Sequence, residues 1–165
     1  MKKVKLLLVC MGNICRSPTA HSVVKVHLDR AGLASRIEVD SAGTQGHHSG
    51  SGPDPRACKA AAQRGYDMSH LRARRVNDTD FERFDRILAM DRDNLETLHR
   101  LCPPEHRHKL GLFLDYSRTY AEDEVPDPYY GNEVGFEHVL DLIEDATRGL
   151  IETLSGQLQE RSEPP

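Results

Sequence analysis

"VCMGNICRSPTA" spans Val9 to Ala20 and brings two cysteines, a glycine, an asparagine, an arginine and a serine into one short turn. An apolar run, Val4 to Val9, precedes it, and a segment with helical character follows. The run is short, rich in leucine and valine, and without strict alternation, which reads as a strand buried on both faces. Pro18 suits the first turn of a helix reaching about Ala31, with Gly32 as its stop. A buried strand that feeds a helix through a tight turn is the building unit of a parallel sheet covered by helices.

The rest of the chain continues the alternation. Ile37 to Asp40 reads as a second strand, and "PDPRACKAAAQRG" as a helix opened by prolines and closed by Gly65. Asn77 is placed to cap a short helix in "NDTDFERF". Arg86 to Met90 is a third strand, followed by "DRDNLETLHRL", a helix capped by Asp91. Leu110 to Leu114 is the fourth strand. After a loop from Asp115 to Gly131 comes an amphipathic helix, Glu133 to Leu154, with Phe136, Val139, Leu140, Ile143, Ile151 and Leu154 at helical spacing. Strands separated by helices predict an α/β domain: one four-stranded parallel sheet with helices on both faces. The domain is expected over residues 1–156, and 157–165, ending in "ERSEPP", as a flexible tail.

At 165 residues the chain is one domain, long enough to bury a real core. Its net charge of -4 gives no reason to expect nucleic acid or an anionic membrane. Arg72, Arg74 and Arg75 form a small basic cluster that reads as a solvated face. Four cysteines, Cys10, Cys15, Cys58 and Cys102, are too few for a secreted disulfide framework in a chain this size, so a reducing cytoplasm is expected. The opening "MKKVKLLLVC" is too short in its apolar part, and Lys5 interrupts it, for a lipoprotein signal. The histidines near Cys102 read as scattered surface residues; neither a metal nor a cofactor is expected.

In open parallel sheets ligands bind at the carboxyl ends of strands, where the quoted turn lies. Gly12 is expected to allow backbone angles that let successive N–H groups converge. The helix start adds free N–H groups and a dipole that favours negative charge. Arg16 supplies a planar fork that matches two phosphate oxygens. The residues Met11, Gly12, Asn13, Ile14, Cys15, Arg16 and Ser17 therefore form a cradle for a tetrahedral oxyanion. Cys10 opens the same loop, and surroundings that stabilise an anion also stabilise a thiolate. A cysteine at a strand end is commonly just a small buried hydrophobe. Its place inside an oxyanion cradle, with Ser17 able to donate to the sulfur, points instead to a nucleophile that attacks phosphorus.

"VCMGNICRSP" resembles the signature V-C-x-G-N-x-C-R-S-P of the low-molecular-weight protein tyrosine phosphatases. "VDSAGT" (39–44), "DPRA" (54–57), "ILAMDRDNL" (87–95) and "DPYYG" (127–131) resemble further family segments in the family's order. The resemblance implies hydrolysis of phosphotyrosine, and of small aryl phosphates, through a phosphocysteine intermediate. It makes Cys10 the nucleophile, Arg16 the phosphate clamp and Asp127 the general acid and later base; from sequence alone Asp127–Pro128 is an ordinary turn. It also implies that Asn13, Ser17, Ser41 and His70 support the loop, and that Tyr129 and Tyr130 form one wall of the entrance. His47 stands where the family often has an aromatic on the opposite wall, which predicts weaker packing against a phenyl ring. Spacing and resemblance together suggest Cys15 as redox partner of Cys10. The alternatives are a phosphoarginine phosphatase or an arsenate reductase of the same fold: Ile14 resembles the tyrosine-directed members, relatives that dephosphorylate arginine carrying threonine there, and Cys58 and Cys102 do not resemble the relay pair of arsenate reductases. A phosphate-binding module without turnover has no use for Cys10 and Asp127. The implied partner is a phosphotyrosine protein, a tyrosine kinase being one class on which bacterial relatives act. A monomer is expected, with weak self-association through the Tyr129/Tyr130 face.

Overall fold

In the computed structural model, which describes residues 2–128 and 133–162, the strand that precedes the quoted turn is the centre of the molecule. This strand, β1 (Val4–Cys10), pairs in parallel with β2 (Ile37–Gly43) on one side and β3 (Arg86–Ala89) on the other. β4 (Leu110–Leu112) adds beyond β3, so the order is β2-β1-β3-β4, with every pair parallel.

Two apolar layers explain the unbroken hydrophobicity of β1. Leu6 and Leu8 point into a cluster with Val23, Val24 and Leu28 of α1 (Arg16–Arg30), Ala57 and Ala61 of α2 (Pro55–Gln63), and Leu140, Ile143 and Leu150 of α5 (Glu133–Ser162). Leu7 and Val9 point into the other, with Phe81 of α3 (Asp80–Arg83), Phe84, and Leu98 of α4 (Arg92–Leu101). Each leucine removed from water on either face contributes about 1.5–3 kcal/mol.

The α/β expectation of a four-stranded parallel sheet covered on both faces matches this architecture. Several boundaries differ, each for a physical reason. β2 runs three residues past Asp40 because pairing continues to Cys10 opposite Gly43. β4 ends at Leu112, where Asp115 Oδ2 accepts the Leu112 N–H at 3.2 Å and turns the chain into a 3-10 segment, Phe113–Tyr116. α5 continues to Ser162, because Leu158 extends the apolar stripe and is buried; residues 157–162 are thus helical where the sequence suggests a tail. Gly149, in the middle of α5, lies against the Tyr116 carbonyl, 1.9 Å from where a Cβ would stand. Only glycine lets the helix approach that segment so closely. No helix among the described residues is long and apolar enough to cross a membrane.

Candidate active site

β1 ends at Cys10 and α1 begins at Arg16, so five residues must reverse the chain between strand and helix. Asn13 makes that possible, with φ of 57°, a left-handed conformation that asparagine tolerates better than most residues. The expectation that Gly12 supplies the unusual angle is corrected here. At Gly12 the space is tight instead: His48 Cδ2 stands 3.1 Å from where a Cβ would be, so a side chain there would push that imidazole aside. α1 starts at Arg16, which puts Pro18 in its first turn, with Cys15 at the N-cap and no side chain capping that turn.

Hydrogen-bond donors converge on the sulfur of Cys10. The Asn13 N–H donates to Sγ at 3.3 Å, and Ser17 Oγ lies 3.0 Å from Sγ. The direction of the Ser17 contact follows from its neighbours. The Arg74 N–H donates to Asn13 Oδ1 at 3.0 Å, which fixes Nδ2 as the end that donates to Ser17 Oγ at 2.8 Å. With that lone pair engaged, the Ser17 proton is directed at the sulfur; its other acceptor, the Ala42 carbonyl, is at 3.4 Å. The chain Arg74, Asn13, Ser17, Cys10 is a relay of oriented dipoles ending on the sulfur.

Arg16 is held from behind. Its Nη1 donates to Asp91 Oδ2 at 2.6 Å and to the Val125 carbonyl at 3.0 Å, which uses both hydrogens of that nitrogen. Nε and Nη2 are left to meet a ligand, with Asp127 Oδ2 3.7 Å from Nη2. Cys10, Met11, Gly12, Ile14, Cys15, Arg16, Gln45, His47, His48 and Asp127 enclose a cavity of about 230 Å³. Cys10 and Arg16 lie at its floor and are nearly inaccessible, whereas Met11 is exposed at the mouth.

The loop that carries Asp127 is tied down along its length. Buried Asp145 of α5 accepts the N–H groups of Arg118, Thr119 and Tyr120. Further on, the Val125 N–H donates to the Met90 carbonyl at 2.8 Å while the Val125 carbonyl receives Arg16. Val125 thus anchors both the Asp127 loop and the Arg16 guanidinium.

The structure brings together Cys10, the loop 11–17, Arg16, His47 and Asp127. Ser41 and His70 take another place. Ser41 is buried and its Oγ lies 3.1 Å from His21 Nδ1, while His70 is exposed and adds to the field at His21. The Asn13 side chain donates to Ser17 Oγ and accepts the Arg74 N–H, so Arg74 also supports the loop. Tyr129 and Tyr130 lie outside the described residues. Cys15 is a free thiol beside Cys10, and burial, reinforced by Asp54 and Cys10, pushes its proton affinity far up. Among the described residues no three His, Cys, Asp or Glu side chains group as a metal site.

Sequence reasoning missed Asp91, read only as a helix cap. It does cap α4, accepting the Asn94 N–H at 2.8 Å, and its second oxygen holds Arg16. It also missed Arg74, which is not part of a solvated face: its guanidinium pairs with fully buried Asp80 at 2.9 Å and with Asp40 at 3.1 Å. His48 was the signal within reach, one residue from His47.

Residues 5–160 match the family model described as low molecular weight phosphotyrosine protein phosphatase. A Synechocystis protein provisionally named a low molecular weight protein-tyrosine-phosphatase is 46% identical over 94% of this chain and 99% of its own. The low molecular weight protein-tyrosine-phosphatase of Streptomyces coelicolor is 40% identical, covering 96% and 98%. The crystal structure of protein tyrosine phosphatase from Entamoeba histolytica with Hepes in the active site superimposes with a TM-score of 0.92 at 42% identity, covering 94% and 99%. The chain belongs to the low molecular weight phosphotyrosine protein phosphatase family.

Proposed function

We propose that this chain is a protein-tyrosine phosphatase that hydrolyses phosphotyrosine through a phosphocysteine, with Cys10 as nucleophile, Arg16 as clamp and Asp127 as acid and base. The observation that carries the reading is the convergence on one cavity of a hydrogen-bonded sulfur, a guanidinium braced through one nitrogen and a carboxylate on the facing loop.

In the first step the Cys10 thiolate attacks phosphorus. The sulfur–phosphorus bond forms as the bond to the tyrosyl oxygen breaks, and Asp127 gives its proton to that oxygen. Nε and Nη2 of Arg16, with the loop N–H groups, hold the phosphoryl oxygens whose charge redistributes in the transition state. A donor of this kind is worth about 3–4 kcal/mol. In the second step a water oxygen attacks phosphorus, Asp127 takes the water's proton, and the sulfur leaves as thiolate. Ser17 favours that departure by directing its hydroxyl at the sulfur. Arg16 and the amides supply the positive field, so the residues present complete the chemistry without a metal.

All of these groups come from one chain, which supports a monomeric catalyst. A catalytic thiol needs a reducing compartment, in keeping with the cytoplasm. The neighbouring free Cys15 supports its role as the partner that captures an oxidised Cys10 as a disulfide. Mild peroxide followed by mass spectrometry checks this; Cys10 passing directly to sulfinic acid with Cys15 unmodified counts against it.

Release of p-nitrophenol from p-nitrophenyl phosphate tests the main reading. Wild type turns over, Cys10→Ser does not, and iodoacetate alkylates Cys10 selectively unless inorganic phosphate or vanadate is present. Turnover that survives in Cys10→Ser overturns it.

A further inference from the structure

The two rims of the active-site cavity carry opposite charge, and they differ in how far that charge is neutralised. On the rim leading to Asp127, Glu122 lies 2.6 Å from His138 Nε2, Asp123 pairs with Arg92, and Glu124 accepts the Arg92 N–H at 2.9 Å. Arg92 serves both Asp123 and Glu124 there, and Glu122 meets an imidazole.

The opposite rim is basic. His47 and His48 line the cavity, and Arg75 packs beside Gly46, its Cδ 3.5 Å from where a Cβ would stand. Arg72 lies against Gly52, its Nη1 3.5 Å from the equivalent position. The Gly50 N–H donates to the Ala73 carbonyl at 2.8 Å and the Ala73 N–H to the Ser51 carbonyl at 2.9 Å, so the arginine segment is laced to the rim loop. The Asp54 N–H donates to the carbonyl of cavity-lining Ile14, which joins the same loop to the pocket. Both arginines are exposed, and neither forms an ion pair with a described carboxylate, in contrast to Arg74 between them. Arg72 donates to the carbonyls of Ser69 and Leu71, which fixes the group in place without cancelling its charge.

We propose that Arg72 and Arg75 form a docking rim for acidic residues flanking the phosphotyrosine of the substrate, so that this phosphatase selects acidic phosphotyrosine segments. The inference rests on the phosphatase reading and names its substrate class. A phosphotyrosine seated on Cys10 leaves the adjoining peptide to cross the mouth of the cavity. A carboxylate passing over the arginine rim gains attraction that a neutral side chain does not, and one crossing the acidic rim does not. Exposed charge contacts are individually weak, so two of them amount to about a fivefold preference at low salt.

The test compares phosphotyrosine peptides that differ only in carrying acidic, neutral or basic residues on either side of the phosphotyrosine. The readout is the ratio of kcat/KM for acidic over neutral peptide within each protein, since a damaged pocket lowers both and leaves the ratio. Wild type is expected to favour an acidic flank about fivefold, and the preference to fade at about 0.5 M salt. Arg75→Glu lowers the ratio toward or below one, and Arg72→Glu/Arg75→Glu reverses it; Arg75→Gln gives a smaller shift in the same direction if the charge reversals fail to fold. A wild-type ratio near one, or a preference that both variants retain, overturns the proposal. Fluorescence anisotropy of the same labelled peptides on Cys10→Ser protein reads the preference without turnover. Failure of wild type to cleave p-nitrophenyl phosphate therefore strikes the catalytic reading alone, and peptide binding still decides this one.

Discussion

At the carboxyl end of the sheet a cavity of about 230 Å³ surrounds Cys10. At the amino end a larger one, about 470 Å³, is lined by Lys2, Lys3, Arg86 and Lys109. The second has more cationic side chains and more room, yet the first has the chemistry. At the amino end the two cations nearest the sheet are already occupied, and Lys2 and Lys3 are exposed to water: Arg86 donates to Tyr116 Oη at 2.6 Å and to Gln157 at 2.8 Å, and Lys109 to the carbonyl of Phe81 at the close of α3 at 2.7 Å. Helix ends that present carbonyls favour cations and repel anions. At the carboxyl end α1 presents N–H groups, and Arg16 is braced by one nitrogen so that others are left for a ligand. A site comes from donors held without being used up, and charge or volume alone does not make one.

The largest break in the comparison is Cys10→Ser. It is expected to cost roughly 10⁴-fold or more in kcat, because the nucleophile and its neighbours act as one unit. Asp127→Ala comes next, with a loss of roughly 10²–10⁴-fold on phosphotyrosine and a smaller one on p-nitrophenyl phosphate, whose leaving group needs a proton less. Equal losses on both substrates would remove Asp127 from the acid role.

Arg74→Met tests the support beneath the loop. It leaves buried Asp80 without its cation, so about 3–5 kcal/mol of stability is expected to go, read from the urea midpoint. Arg75→Met, one residue on and unpaired, is expected to change it by no more than about 0.5 kcal/mol. Equal effects would mean that the pairing with Asp80 is not what fixes Arg74, and with it the N–H that orients Asn13.

Those two arginines also show what the sequence could and could not reveal. β1, the turn and α1 were legible because apolar run, turn chemistry and helix start are adjacent in the chain. Asp91 was legible as a cap for the same reason. Its second contact, to Arg16, spans 75 positions, and the Arg74 to Asn13 bond spans 61. Such contacts are set by strand order, with β1 between β2 and β3, and no local pattern records them. Asp127, singled out by the family resemblance, stands 3.7 Å from Arg16, and Ser41 lies beside His21. The end of α5 was underestimated for a simpler reason: Leu158 is a single apolar residue in a polar stretch, and its burial depends on what lies opposite.

His21 joins α1 to β2 beneath the active end, and it makes stability depend on pH. Burial pushes its imidazole down to about 4, against the opposing pull of Asp40. The unfolded chain therefore binds this proton at a higher pH than the folded one. The contribution to stability is full above about 6.5 and is lost as the pH falls toward 4, an effect of up to about 3 kcal/mol. His21→Asn is expected to flatten the fall in urea midpoint over that window; an unchanged slope would assign the acid sensitivity to other groups.

The smallest effect is expected where cations are most plentiful. Lys2→Ala/Lys3→Ala removes two exposed charges from the amino-end cavity, at the far end of β1 from Cys10. The seven residues of β1 put the two ends about 20 Å apart, beyond the ~8 Å over which salt at physiological strength lets exposed charges act. Turnover of p-nitrophenyl phosphate should then stay within about twofold of wild type, since the two lysines touch neither the loop nor the strand pairing that positions it. A tenfold fall would show that the ends of the sheet are coupled through β1 itself. The contrast between occupied and poised cations would then have to be replaced by one in which the amino end sets the geometry of the loop.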